Sequence, residues 1–142
     1  MTLDEESLGL LIGRVAKELS RSFDGVLAAA GGSSPTWQVL RALDAGDHRT
    51  QAELAAAIGV RQPTLTHHLD VMERAGLVTR AREDGNRRVQ RVTVTEPGRH
   101  LFLRLRRAAA SFDGRLRAGL GDGDLAELRR LLDQLLENAL PD

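Results

Sequence analysis

Between Val60 and Val78 the chain reads VRQPTLTHHLDVMERAGLV, and its polar residues recur with helical spacing. On a 3.6-residue period Leu65, Leu69 and Met72 share one face, which leaves Pro63, Thr66, His67 and Asp70 on the other. Thr64 and Thr66 carry groups that can hydrogen-bond base edges or phosphates, or touch a thymine methyl, and His67 can donate to a guanine acceptor or a phosphate. Thr64 taken alone also reads as a cap or turn residue. With Arg61, Gln62 and Pro63 at the start of the stretch, the candidate DNA contacts are Arg61, Gln62, Pro63, Thr64, Thr66 and His67. The neighbouring His67 and His68 are a poor metal site, because adjacent helical residues point about 100° apart whereas helical zinc ligands recur at i and i+4.

A second set of candidate contacts follows. From Arg74 to Arg91 there are six arginines and two acids, Glu83 and Asp84. Within "LVTRAREDGNRRVQRVTVT" the period changes from helical to alternating, with Val89, Arg91 and Thr93 on one side and Gln90, Val92 and Val94 on the other. An Asp-Gly-Asn turn at its centre makes this a hairpin. Arg82, Arg87 and Arg88 then stand beside the turn, where guanidinium groups can reach a narrow minor groove or its phosphates.

The elements that must hold these residues are legible in outline. Apolar residues at 8, 11, 12, 15, 19, 23, 26 and 27 predict a long first helix, broken by AAAGGSS. Ser34 before Pro35 reads as the N-cap of a second helix through about Ala45. "TQAE" at Thr50 to Glu53 has the form of a capping box opening a third helix, which ends at Gly59. The recognition stretch is the fourth helix, ended by Gly76. Thr95, Glu96 and Pro97 open a fifth with Leu101, Leu105, Ala108, Phe112 and Leu116 on one face, and Asp124 and Glu127 read as a capping box for the last. In that last helix Leu125, Leu128, Leu132 and Leu135 follow a near-heptad seam, widened by Leu131 and Leu136. Such a seam calls for a partner, either within the chain or in a second copy.

A helix, a sharp turn, a second helix and a basic hairpin define the expected fold: mostly α with a small β-hairpin wing, a winged helix-turn-helix joined to a helical dimerisation region made of the first, fifth and sixth helices. Residues 1–32 are expected to form an N-terminal dimerisation helix, 33–96 the DNA-binding domain, and 97–142 the C-terminal dimerisation helices. In this geometry the first helix of the pair braces the second, whose N-terminal half enters a major groove about 12 Å wide.

Composition agrees with a folded protein of 142 residues and 42% hydrophobic content. The net charge is zero, so the basic residues matter by where they cluster and not by their sum. No apolar run approaches the roughly 20 residues of a membrane helix, and the acidic MTLDEE start lacks the features of a signal peptide, so the expected address is the cytoplasm, with the nucleoid, and no membrane. Without cysteine, disulfides, thiolate zinc sites and thiol redox sensing are excluded.

At Thr50 to Gly98, "TQAELAAAIGVRQPTLTHHLDVMERAGLVTRAREDGNRRVQRVTVTEPG" resembles the core of MarR-type transcriptional regulators. The helix "TLTHHLDVMERAGLV", a wing with Asp84 followed by Arg87 and Arg88, and the closing "TVTEPG" carry the resemblance, which extends to one long helix before the motif and two after it. It implies a homodimer on pseudo-palindromic double-stranded DNA, usually a repressor of nearby genes released by a small aromatic ligand, with Arg87 or Arg88 in the minor groove. The chain departs from the family where Arg61 replaces the usual capping serine or threonine and where His67 stands in place of a frequent arginine.

For an effector, Trp37 and Arg41 lie four apart on the second helix and could pair an aromatic wall with a guanidinium, with Phe23 adding surface. A lone tryptophan serves a core equally well. Enzymatic motifs fail: GGSS lacks the lysine of a phosphate loop, there is no GxSxG or HExxH, and "DGD" at Asp122 to Asp124 lacks the further ligands of a calcium loop. No catalytic residue, metal or cofactor is therefore expected. The alternative to a DNA-binding regulator is a protein-interaction module on the same scaffold, which would not need the exposed wing arginines.

Overall fold

The computed structural model describes residues 7–46 and 49–141, with the side chains of Arg49, Glu83, Arg87 and Arg88 outside the described set. The elements are α1 (Leu8–Ala29), α2 (Ser34–Ala45), β1 (Arg49–Thr50), α3 (Gln51–Ile58), α4 (Gln62–Arg74), β2 (Val78–Glu83), β3 (Asn86–Val94), α5 (Glu96–Leu116) and α6 (Asp122–Ala139). The expectation for MTLDEE falls outside the described residues. The chain forms two compact units that divide inside α5, between Ala109 and Ala110.

Side-chain caps set several helix starts. Ser7 accepts from the Leu10 amide at 3.4 Å and opens α1. The cap of α2 is Ser33, which is extended and accepts from the Thr36 amide at 3.3 Å, one residue before the expected Ser34. Ser34 is already helical, and Pro35 fits in the first turn because its missing N–H would have lacked a helical partner in any case. Thr50 caps α3 by accepting from the Glu53 amide at 3.1 Å. At α6 the helix begins three residues earlier than expected: Gly121 is the N-cap, and the Asp124 carboxylate accepts from its amide at 2.8 Å. Glu127 instead holds Arg130 at 2.6 Å.

The first unit has a single apolar centre. Leu27 of α1, Val39, Leu40 and Leu43 of α2, Leu54 and Ala55 of α3, Leu65, Leu69 and Met72 of α4, Val78 and Val92 of the strands, and Leu101, Phe102 and Leu105 of α5 are buried together. The three α4 residues are at most 1% exposed, as the helical period requires. The sheet runs β1-β3-β2, both pairs antiparallel, so the two-residue β1 adds an edge to the expected hairpin. Two residues are too few to show alternation, which is why β1 left no signal in the sequence.

The junction of wing and α5 is tightly specified by "TVTEPG". Thr95 donates its hydroxyl to the Gly76 carbonyl at 2.5 Å, accepts from the Gly98 amide at 3.1 Å, and donates its own amide to the Leu77 carbonyl at 3.0 Å. A Cβ at Gly98 would stand 2.2 Å from the Leu77 carbonyl oxygen, so only glycine permits this approach. The end of α4 is thereby tied to the start of α5 through one threonine.

In the second unit, α6 buries little within itself. Leu125 and Leu135 are half-buried, while Leu128, Leu131, Leu132 and Leu136 remain 44–60% exposed. In α1, likewise, Leu8, Leu10, Ile12, Val15 and Leu19 are exposed and only Leu27 is buried. Among the described residues no helix is long and apolar enough to cross a membrane.

Candidate nucleic-acid interface

Gly59 makes the turn between α3 and α4. Its φ of 80° lies in the left-handed region, and its amide donates to the Ala55 carbonyl at 2.9 Å, closing α3 while the chain reverses. Arg61 then occupies the N-cap of α4 with no side-chain cap, so the first amides of the recognition helix are left to other acceptors. A phosphate is an acceptor of the right charge for that end.

Along α4, Arg61, Gln62, Pro63, Thr64 and His67 are exposed, opposite the buried Leu65, Leu69 and Met72. Thr66 is half-buried. Its hydroxyl donates to the Gln62 carbonyl at 2.9 Å and accepts from Gln51 Nε2 at 2.5 Å, which braces the recognition helix against the start of α3. His68 is half-buried, with its ring 6.0 Å from that of His67 and tilted by 54°. Among the described residues no cluster of His, Cys, Asp or Glu could hold a metal ion.

Asp70, placed by periodicity on the outer face, turns to the wing instead. Its Oδ1 accepts from Arg80 Nη2 at 2.5 Å, and the same nitrogen donates to Glu73 Oε1 at 3.1 Å. The Arg80 backbone amide also donates to Glu73 Oε2, at 2.9 Å. The side-chain hydrogen bond from Arg80 holds the Glu73 carboxyl below its ordinary value, against a smaller opposing effect of burial. At Arg80 burial opposes the charge, but the bonds to Glu73 and Asp70 prevail and raise its pKa. Sequence reading counted Arg80 only as part of the basic cluster. The signal for its role was present as two acids three apart on α4, followed by an arginine just past the Gly76 turn.

The wing keeps a strict register from Val78↔Val94 to Arg82↔Gln90, then shifts between Arg82 and Glu83 so that Glu83 pairs with Asn86 beside the turn. Gly85 has φ 84°, and Arg82 is exposed. Arg87 and Arg88 belong to β3 next to this turn, and their side chains lie outside the described set.

The residues expected to line an effector site are dispersed over one region of the first unit. Trp37 is half-buried and stacks on Phe102, with centroids 5.7 Å apart and planes 19° from parallel. Phe23 packs against the core, and Arg41 is exposed. A cavity of about 200 Å³ opens further along α2, lined by Leu40, Leu43, Asp44, Val92, Thr93, Val94, Arg99 and Phe102. Trp37, Arg41 and Phe23 are not among its walls.

A braced helix with a polar outer face, followed by an arginine-bearing hairpin, defines a winged helix-turn-helix DNA-binding protein. Comparison with known proteins places it more closely. Residues 31–89 match the model of the MarR family. The chain is similar to the transcriptional repressor CouR solved on a 23-mer DNA duplex, at 27% identity over 92% of both chains with a TM-score of 0.82. It is similar also to the M. tuberculosis transcriptional regulator MOSR solved with DNA, at 28% identity over 94% of this chain and 96% of that one, TM-score 0.75. CouR from Rhodococcus jostii RHA1 bound to p-coumaroyl-CoA has the same fold, at 22% identity and a TM-score of 0.76 over 100% of this chain and 99% of the other. The protein is thus similar, over residues 31–89 and in its whole fold, to DNA-binding transcriptional regulators of the MarR family.

Proposed function

We propose that the protein is a homodimeric repressor that reads a pseudo-palindromic operator, contacts bases with the exposed N-terminal half of α4, and leaves DNA when a small aromatic ligand binds. The observation that carries the DNA reading is the division of α4. Leu65, Leu69 and Met72 are buried, while Gln62, Pro63, Thr64 and His67 are exposed at the end that enters a major groove. Arg61 supplies charge at that end, and Thr66 contributes by fixing the helix, since its hydroxyl is already bonded to Gln62 and Gln51. Arg82, Arg87 and Arg88 contact the minor groove or its phosphates.

Dimerisation is supported by the large apolar side chains left exposed along α1 and along α6. Residues 1–32 and 97–142 provide it, and 33–96 provide the DNA-binding domain. The ligand response is supported by the CouR from Rhodococcus jostii RHA1, of the same fold, solved with p-coumaroyl-CoA. A regulator of this kind works in the cytoplasm beside the nucleoid and has no enzymatic activity. The test is selection of bound DNA from a random pool. Recovery of an inverted repeat with half-sites about one helical turn apart is expected, and recovery of no common sequence would overturn the reading.

A further inference from the structure

The start of α3 and the start of α4 are tied by two hydrogen bonds in series. Gln51, the first residue of α3, donates from Nε2 to Thr66 Oγ1 at 2.5 Å, and the Thr66 hydroxyl donates to the Gln62 carbonyl at 2.9 Å. Gln62 is the first residue of α4, and Arg61 before it makes no side-chain cap. The first turn of the recognition helix is thus held from α3 and not by a cap of its own. The chemistry fixes the part each group plays. A carbonyl can only accept, so the one proton of the Thr66 hydroxyl goes to Gln62, and what remains for Gln51 is a lone pair that only a donor can meet. A hydroxyl that donates is also the better acceptor, so the two bonds support each other.

Gln51 and Thr66 are half-buried, while Gln62, Thr64 and His67 are exposed, so the brace lies behind the polar face of α4. Leu54 and Ala55 of α3 share the core with Leu65 and Leu69 of α4, and this packing does not depend on the brace. Apolar burial supplies attraction but little direction, whereas a hydrogen bond weakens steeply away from its preferred angle. We infer that Gln51 is a positioning residue for sequence reading: through Thr66 it sets the angle at which Gln62, Thr64 and His67 meet a major groove, without touching a base itself. This deepens the reading of the protein as an operator-binding regulator and rests on it. Hydrogen bonds to base edges demand exact placement, whereas the attraction of arginines for phosphates is indifferent to sequence. Loss of the brace therefore costs discrimination and spares non-specific binding.

The test titrates the full chain against the selected operator and a scrambled duplex at several salt concentrations. Gln51→Met keeps the length of the side chain and removes its donor. It should weaken operator binding by about three- to tenfold, the worth of one hydrogen bond, and leave the scrambled duplex and both salt slopes as in wild type. The unchanged scrambled-duplex titration also shows that the variant is folded. Thr66→Ser, which retains the hydroxyl, should keep the wild-type preference. Adding Gln51→Met to Thr66→Val should cost no more operator affinity than Thr66→Val alone, because Gln51 acts through that hydroxyl. A Gln51→Met protein with the full operator preference, or full additivity of the two substitutions, would overturn the inference. Equal losses on both duplexes would also overturn it, and an accompanying shallower salt slope would make Gln51 a phosphate contact. A wild type that does not distinguish the two duplexes would bring down the regulator reading, and this inference with it.

Discussion

Arg80 of β2 reaches Asp70 of α4 at 2.5 Å, joining the wing to the recognition helix through a side chain that is only 16% exposed. Glu73, one turn along α4, completes the grip with both carboxylate oxygens. The wing and α4 are therefore joined by charged contacts as well as by their shared core. Removing the arginine leaves two acids facing each other without their cation.

Arg80→Ala should lower unfolding stability by about 1–2 kcal/mol, since two side-chain hydrogen bonds between charged groups are lost but Asp70 and Glu73 are 46% and 40% exposed. Arg80→Lys should restore part of this, because an ammonium lacks the planar fork. Denaturant melts of the three proteins check it. The pH dependence has a definite sign. Glu73 has a depressed pKa in the folded state, so its contribution is present above its unfolded value and lost as pH falls through the folded one. Arg80→Ala should lessen that acid-side loss, the backbone amide of residue 80 still donating to Glu73, and parallel stability curves for wild type and variant would contradict it.

His67 is exposed on α4 beside the helix start, with no role in the buried face. His67→Ala should leave stability within about 0.5 kcal/mol while reducing discrimination at one position of each half-site by roughly 1–3 kcal/mol. Measuring affinity for single-base operator variants checks it. Retention of the full sequence preference would reassign His67 to phosphate.

Much of the fold was written in local pattern. The burial of Leu65, Leu69 and Met72 follows from their spacing, and the left-handed Gly59 from the need to reverse the chain between two helices. The caps show where pattern stops. Ser33 and Ser34 are the same residue type, and only backbone geometry decides which hydroxyl meets the Thr36 amide. Contacts across the fold were harder still. Periodicity put Thr66 and Asp70 on a face but could not say that Gln51 and Arg80 would come to meet them. The cavity beside Val92 is assembled from three elements distant in sequence, so no window of residues announces it.

The leucines of α6 bear on assembly. Leu128 and Leu132 are 49% and 44% exposed on a helix whose apolar positions follow a near-heptad seam. Leu128→Asp together with Leu132→Asp should give monomers or unfolded chains and abolish operator binding, because two recognition helices must be held about one DNA turn apart. Sedimentation of wild type and variant at micromolar concentration checks it. A stable wild-type monomer would remove the dimer from the mechanism.

The wing should add affinity more than sequence preference. Arg82 is exposed beside the register shift near the turn, and Arg87 and Arg88 follow the turn on β3. Arginines at a hairpin tip meet phosphates or the minor groove, where base pairs are poorly distinguished and charge dominates. Arg87→Ala with Arg88→Ala should thus weaken binding to operator and to unrelated DNA by similar factors. Each lost phosphate contact releases about one counterion fewer, so the salt slope should become shallower by about 0.9 per contact. The measurement is a set of titrations at several salt concentrations, on operator and on scrambled sequence. A loss confined to the operator would make the wing a sequence reader, and identical lines for variant and wild type would take it out of the interface.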